Sequence, residues 1–587
     1  MLHILAASAA LVVSTTRDET TTRWHDLRPI LSASVGTQPG IDLRLHLTSS
    51  RIDDLEPDHH DLPIGADAAL DEDGCVQAIV NAIRAEEAAE LQGVTSRGGG
   101  VEIVGNDAAQ RVAREAVEAL RAAALDSVVV EVYRLRDADL ANEPLSVIDR
   151  GRTAALLDRI DPRAAYRQSV RIGRSAGLGD QEVTNFLHDH DVEVAQGAVG
   201  VDPVVSSLRT GFEVGLRVER ASDGSGFLVR TWGRDGRVDP EMRTIELASL
   251  GSAPLDLPQV ATSLWTSSAL LEQGGAMLID HDGGGAEALL LRIAPGAPSP
   301  TPRSVLPLGE LGIRPMVPAI PRVGTASPSG GWPRGRDEFM DGAGSRRSFQ
   351  PNLAAAMDEI QAGRAVRFGS SVVFARPSAI TDELRAAVED RRASLPVRTV
   401  AVEVRYGTLP SKDATTALGA DDLASLAATL SGRLLGSGLE NDGVLLVGGT
   451  EFAYLKDHDV RIAAGSVIAD PVVDAAFEGI AVWCMPMVGP EGGVLSAWLD
   501  VQVHAPTAGT RDVTTSSYRA APGDGSKDAP AMTGAFERDL AIELPVTRRA
   551  ASRTLVETES GAWTVVSTRP LSGSDETLVV LTRITSL

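Results

Sequence analysis

Two short runs of acid, histidine and acid are the sharpest chemical features of this chain: Asp189-His190-Asp191 and Asp457-His458-Asp459. In an extended strand, residues two apart share a face, so both aspartates of each run point one way and the histidine the other. Two carboxylates could hold a hard cation if further oxygen ligands came from elsewhere. That makes Asp189, Asp191, Asp457 and Asp459 weak metal-ligand candidates. The simpler reading has these side chains hydrogen-bonding backbone where a strand begins. His188 adds an imidazole beside the first run, but Lys456 stands at the matching place beside the second, which weakens a metal site. His59-His60 lies in the acidic stretch RIDDLEPDHHDLP and reads as a solvated loop. Asp202-Pro203 and Asp470-Pro471 read as turns. Glu131 and Glu403 sit in matching apolar strands, where paired acid/base work competes with solvation at a sheet edge. One GxSxG match, Gly173 to Gly177, puts Ser175 in a nucleophile slot. A nucleophile elbow needs a buried strand just before that serine, and AAYRQSVRI is too polar for one, so a loop is expected. No P-loop, GxGxxG opening a helix, HExxH or CxxC occurs. No catalytic residue, enzymatic activity or cofactor is therefore expected.

The 587 residues exceed one compact domain, and three to five units are the soft expectation at about 100–200 residues each. Lys plus Arg is 55 against 80 Asp plus Glu, a net charge of -25, which disfavours binding to nucleic acid. Two cysteines, Cys75 and Cys484, exclude a disulfide scaffold and a Cys-based zinc site. No apolar run reaches the ~18 residues of a transmembrane helix. Residues 1–13 are almost entirely apolar before Ser14, which suits a signal peptide, although its n-region carries no Lys or Arg, only His3; a first β-strand is the alternative.

The elements that must position these residues recur. LHDHDVEVAQGAVGVDPVV at 187–205 and LKDHDVRIAAGSVIADPVV at 455–473 agree at 12 of 19 positions, 268 residues apart. Gly211 then matches Gly479, Leu257-Pro258 matches Leu544-Pro545, and Gly274 matches Gly561. The offset grows to 287 through an insertion placed at Thr507 to Glu537, whose composition reads as a surface loop. Each copy reads as an α-β-α-β module followed by strands. In the first copy, Val76, Ile79, Val80 and Ile83 predict a helix, and Gly98–Gly105 a turn and strand. Asn106 or Asp107 is expected to cap a second helix striped by Val112, Ala116, Val117 and Leu120. The second copy predicts a helix over 353–361, a strand over 371–375, a helix over 378–392 and a strand over 397–406. Phe212, Val214, Leu216 and Val218, then Asp223 to Gly226, then Phe227 and Val229 predict a hairpin with one apolar face. The fold expected is α+β: two tandem copies of a small α/β module, each followed by an antiparallel β domain. The boundaries expected are 1–13 signal peptide, 14–135 N-terminal short domain and α/β module, and 136–295 first β domain. A Pro/Gly-rich linker at 296–350, a second α/β module at 351–407 and a second β domain at 408–587 follow.

The ordered motifs resemble the secretin domain of type II and type III secretion systems. They are carried by DHDVEVAQGAVGVDPVVSSLRTGFEVGLRV at 189–218 and DHDVRIAAGSVIADPVVDAAFEGIAVWCMP at 457–486, by Leu257-Pro258, EQGGAMLID and EALLLRIAP, and by TTRWHDLRPIL at 21–31. The motif of the type VPLLGDIPILG between the last two strands is missing, and two β copies in one chain depart from the pattern. The resemblance implies a secretin-like component of an envelope secretion system that forms or lines a ring. It implies a homo-oligomer or other envelope secretion components as partners, a place in the periplasm or outer membrane, and no nucleic acid. The alternative is a non-pore extracytoplasmic structural or binding protein built from the same modules. The apolar hairpin face invites pairing between chains, or between the two copies within one chain.

Overall fold

The computed structural model describes residues 20–34, 47, 72–136, 146–160, 166–195, 198–239, 241–247, 253–280, 287–295, 301–312, 358–359, 362–368, 371–394, 397–418, 423–440, 442–463, 466–488, 494–518, 538–570 and 575–587. The expected signal peptide, His59-His60 and most of the helix expected at 353–361 lie outside these residues.

Strands β1 (Thr21–Asp26), β2 (Leu91–Arg97) and β3 (Gly100–Gly105) form a small antiparallel sheet in the order β1-β3-β2. Helices Glu72–Arg84 and Asp107–Ala124 cover it. The second helix begins where the sequence places a cap: Asn106 Oδ1 accepts the N–H of Ala109 at 3.0 Å, and the Asn106 amide also donates to the Ala88 carbonyl. One orphan N–H of the first turn is thereby satisfied. Val112, Ala113, Ala116 and Leu120 then meet Ile79 and Ile83 in a sealed core.

The next strand, β4 (Ser127–Arg136), leaves this module and joins a larger sheet, which corrects the expected α-β-α-β grouping. It is followed by β5 (Val147–Ile148), β6 (Tyr166–Arg171), β7 (Ser175–Ala195), β8 (Ala198–Arg220) and β9 (Phe227–Val238). Next come β10 (Arg243–Leu247), β11 (Ala253–Leu257), β12 (Gln259–Leu271), β13 (Ala276–Asp280) and β14 (Glu287–Ile293). Inside the Pro-rich stretch expected as a linker, β15 (Val305–Pro307) pairs with β17 (Ser371–Phe374), which also pairs with β16 (Ala365–Phe368). Helix Asp382–Ser394 covers this second small sheet, and Val305, Val373 and Ala375 share the core of the first. The chain ends through β18 (Thr399–Pro410), β19 (Gly432–Leu439), β20 (Val444–Ala463), β21 (Ser466–Val488), β22 (Val494–Tyr518), β23 (Arg538–Glu559), β24 (Trp563–Pro570) and β25 (Glu576–Ser586).

These strands make two antiparallel sheets. One runs β23-β22-β21-β20-β12-β9-β8-β7; the other runs β24-β25-β18-β19-β13-β14-β4-β6, with β5 beside β13. The two expected β regions thus merge: β12 pairs directly with β20, from Gln259↔Phe452 to Thr266↔Leu445. The apolar faces of both sheets close on each other. Phe212, Val214, Leu216, Val218, Phe227 and Val229 of the expected hairpin are all buried, in one core with Val130 and Val132 of β4 and Val402 of β18. Of the two pairings open to this face, the one within the chain is realised. Sandwich packing of this type buries alternate residues of each strand.

The eight-stranded sheet has unusual strand lengths. β22 has 25 residues, about 80 Å at 3.2–3.4 Å per residue, where 5–6 residues are common. Residues 507–518, expected as part of a loop, extend β22 and pair with β23 as far as Tyr518↔Arg538. Irregularities recur at a fixed spacing. A bulge interrupts β7–β8 between Leu187 and Asp189, and another interrupts β20–β21 between Leu455 and Asp457, 268 positions on. Gly211 and Gly479, also 268 apart, take φ of +100° and +155°. A Cβ would sit 2.2 Å from the Asp180 carbonyl oxygen at the first and 2.3 Å from the Gly448 carbonyl oxygen at the second. Both positions therefore require glycine.

Candidate functional site: buried ion pairs and open strand edges

The Asp-His-Asp runs lie at the two bulges. Asp189 Oδ1 accepts the N–H of His190 at 2.8 Å, and Asp457 Oδ1 accepts the N–H of His458 at 2.8 Å. These carboxylates satisfy backbone at a ladder fault, as residues with short acidic side chains do. Asp191 and Asp459 stand two residues along the strands, opposite Asp202 and Asp470. His190 is buried and its Nε2 donates to the Pro254 carbonyl at 2.7 Å. His188 packs edge-on against Phe186, while Lys456 at the matching place pairs with Asp474 at 2.9 Å. Among the described residues, no three His, Cys, Asp or Glu side chains converge as a metal site would require. Asp202-Pro203 and Asp470-Pro471 are not turns but lie inside β8 and β21. Ser175 opens β7 directly after the turn at Gly173.

Glu131 and Glu403 are not solvated at an edge. Glu403 is 3% exposed, on the face of the second sheet turned away from the main core. It accepts from Arg433 Nε at 3.0 Å, from Arg405 Nε at 3.1 Å and from Arg583, its direct neighbour across β18–β25. Glu131 is likewise opposite Arg292 across β4–β14 and lies 3.6 Å from both the Arg292 and Arg167 guanidinium groups. Tyr133 donates to it at 3.0 Å, and burial raises the Tyr133 hydroxyl above its ordinary pKa. Arginines on both sides engage each carboxylate in a buried structural ion-pair network. Both cysteines are buried, in separate cores and not joined by a disulfide, and burial pushes the Cys484 thiol up to about 12. Such a thiol is inert at neutral pH.

The sequence did not single out the sheet edges. Among the described residues, β7 has only β8 as a strand neighbour, and β23 only β22. The far part of β7 is partly covered: Leu187 donates its N–H to Asp256 Oδ2 at 2.9 Å, beside the His190–Pro254 contact. The stretch from Ser175 to Asn185 is the open part. Asp180, Gln181, Glu182 and Val183 on it are exposed, Val183 by 55%. Long unpaired edges are templates for another strand. The face turned away from the core is mixed: Glu213 pairs with Arg234 at 2.6 Å, Arg217 with Glu219 at 2.6 Å and Arg230 with Asp442 at 3.1 Å, while Leu264, Leu445, Val447, Phe477 and Ala481 form a buried apolar cluster on it.

No family model and no curated protein matches this chain. Similar solved structures include the secretin InvG of the Salmonella SPI-1 type III secretion injectisome, at 11% identity over 40% of this chain and 79% of that one, with a TM-score of 0.21. The type II secretin GspD of enteropathogenic Escherichia coli is similar at 11% identity over 43% of this chain and 84% of that one, with a TM-score of 0.16. Aeromonas hydrophila ExeD is similar at 11% identity over 97% of this chain and 90% of that one, with a TM-score of 0.15. Superpositions at these scores carry no argument about what this chain does.

Proposed function

We propose that the protein is a secretin-like structural component of an envelope protein-secretion system, several copies of which form or line a ring. The observation that carries this reading is an eight-stranded sheet of very long strands, open at both ends. An open sheet of this kind removes its edges only by closure, and repeated chains joined head to tail close a ring. The secretin-like motifs at 189–218 and 457–486 fall on the long hairpins β7–β8 and β20–β21, one on each side of the β12–β20 seam, which supports the same reading. On it, the chain is two tandem copies of an α/β module and a β domain, it resides in the periplasm or outer membrane, and its partners are further copies and other envelope secretion components.

A second reading, a non-pore extracytoplasmic structural or binding protein, is favoured by one observation. The second face of β8 and β9 holds ion pairs among covered side chains, Arg217–Glu219 and Arg234–Glu213, where a lipid-facing barrel wall is exposed and apolar. Electron microscopy of the detergent-extracted envelope fraction decides between them. Rings with a lumen support the first reading, and discrete monomers would sink it in favour of the second.

A further inference from the structure

We propose that a second copy of this chain occupies each open edge, with β23 of one chain pairing antiparallel to β7 of the next in the register of the internal β12–β20 seam. This deepens the assembly reading above and rests on it. The pattern for the contact lies inside the chain. Three successive ladders recur with the same register. Ala176↔Leu216 of β7–β8 has its counterpart in Val444↔Cys484 of β20–β21. Gly211↔Gly236 of β8–β9 has its counterpart in Gly479↔His504 of β21–β22. Val238↔Val260 of β9–β12 has its counterpart in Pro506↔Thr547 of β22–β23. β20 is therefore the counterpart of β7, and β12 the counterpart of β23. β20 and β12 are joined to each other at the seam, whereas β7 and β23 end the sheet among the described residues.

The side contacts repeat as well. Leu187 donates its N–H to Asp256, and Leu455, its counterpart, donates to Glu543, the counterpart of Asp256, at 3.0 Å. At the seam, Ala453 donates its N–H to the Pro258 carbonyl at 2.9 Å. The matching bond between chains runs from the N–H of Asn185 to the carbonyl of Pro545. Carrying the seam pairs Gln259↔Phe452 and Thr266↔Leu445 to their counterparts sets Val546 opposite Thr184 and Arg553 opposite Gly177. Between them, Thr547 faces Val183 and Arg548 faces Glu182.

Charge agrees with this register, although charge played no part in deriving it. The open stretch of β7 presents Asp180 and Glu182, both exposed. The matching stretch of β23 carries Arg548, Arg549 and Arg553. In this register Glu182 stands opposite Arg548, and Asp180 takes the diagonal position to it. Exposed Val183 meets Thr547, another β-branched residue.

Cysteine cross-linking of the full-length protein tests the register. Directly opposed Cβ atoms lie about 4.5–5.5 Å apart, near disulfide range, whereas a shift of four residues adds roughly 13 Å. Cys75 and Cys484 are buried and do not compete. On oxidation, V183C/T547C is expected to give a ladder of dimers and higher multimers under denaturing electrophoresis. V183C alone and V183C/A551C are expected to give none. As a charge test, Glu182→Arg should raise the concentration for half-assembly roughly fivefold, and E182R/R548E should restore it. A ladder from V183C/A551C alone overturns the register, and dimers from V183C alone show that the edge meets itself. Absence of cross-links in a protein that light scattering shows to be oligomeric overturns this proposal while leaving the assembly reading standing. A monomeric wild type overturns both.

Discussion

Leu216→Ala distinguishes a face used inside the chain from one used between chains. Leu216 is fully buried, centred in β8 among Val214, Val218 and Val229, where the two sheets meet. Truncation removes a whole isobutyl group and leaves a void that stiff neighbouring strands cannot fill. Buried Leu→Ala changes cost about 2–5 kcal/mol, and a site walled by β-sheet on both sides belongs near the middle of that range. For a cooperative unit of about 150–250 residues, each kcal/mol lowers Tm by roughly 2–4 °C, so a fall of about 6–12 °C is expected. Thermal unfolding followed by near-ultraviolet circular dichroism measures it, and light scattering on the same samples reports the state of association. The variant should lose stability and keep the wild-type mass. If it instead fell to monomers with an unchanged Tm, the apolar face would be an intersubunit surface and the sandwich would be wrong.

Two further outcomes follow from the buried and half-buried titratable groups. Glu403→Gln removes the carboxylate that compensates Arg433, which is 4% exposed; loss of that buried ion pair should cost about 3–5 kcal/mol, read as a lower urea midpoint at unchanged slope. His25 has its pKa lowered below 6.5, chiefly by desolvation and against the raising effect of its hydrogen bond to Gln110. The folded state therefore binds fewer protons than the unfolded one, and the first small module should lose stability as pH falls below about 6.5. An NMR titration of the His25 ring should give a midpoint under 6.5, and a midpoint above it would refute the buried placement.

What the sequence disclosed follows from which signals are local. Alternation in Phe212 to Val218, the Asp223-Gly224 turn and resumed alternation at Phe227 belong to neighbouring residues, so the hairpin was legible. The Asn106 cap was legible for the same reason. Strand partners are not local. Nothing in VVVEVYRL says that β4 leaves the small sheet, or that Glu131 waits for Arg292, more than 150 residues away. β2, Leu91–Arg97, is too polar to stand out, yet it completes the small sheet. Composition misled in two places. Thr507 onward is rich in turn-formers but is held straight by its ladder to β23. Asp202-Pro203 reads as a turn, but β9 pairs with β8 only from Gly211 onward, so the proline sits where its missing N–H breaks no central ladder. Of the candidate site, the Asp-His-Asp runs were found for their chemistry. Their role at the bulges could only be seen once the register was known.

Burial of the apolar faces moves the assembly question from faces to edges, and the stretches 177–184 of β7 and 546–553 of β23 have opposite signs. Natural edge strands carry charge to keep other strands away. A single sign on both edges would do that against every copy. Here Asp180 and Glu182 lie on β7 while Arg548, Arg549 and Arg553 lie on β23. β7 carries acids and no Lys or Arg, so two copies cannot pair β7 with β7 without opposing like charges. Unlike edges attract, so the same charges that block the symmetric dimer admit the head-to-tail contact. A head-to-tail contact between identical chains does not stop at two: it either closes into a ring or continues as a filament. The twist between neighbouring strands decides which, and it accumulates with one hand across a sheet. The internal seam fixes that rotation for one junction. If the junction between chains repeats it, every step turns by the same amount, and a constant turn without rise closes when a whole number of steps completes one rotation.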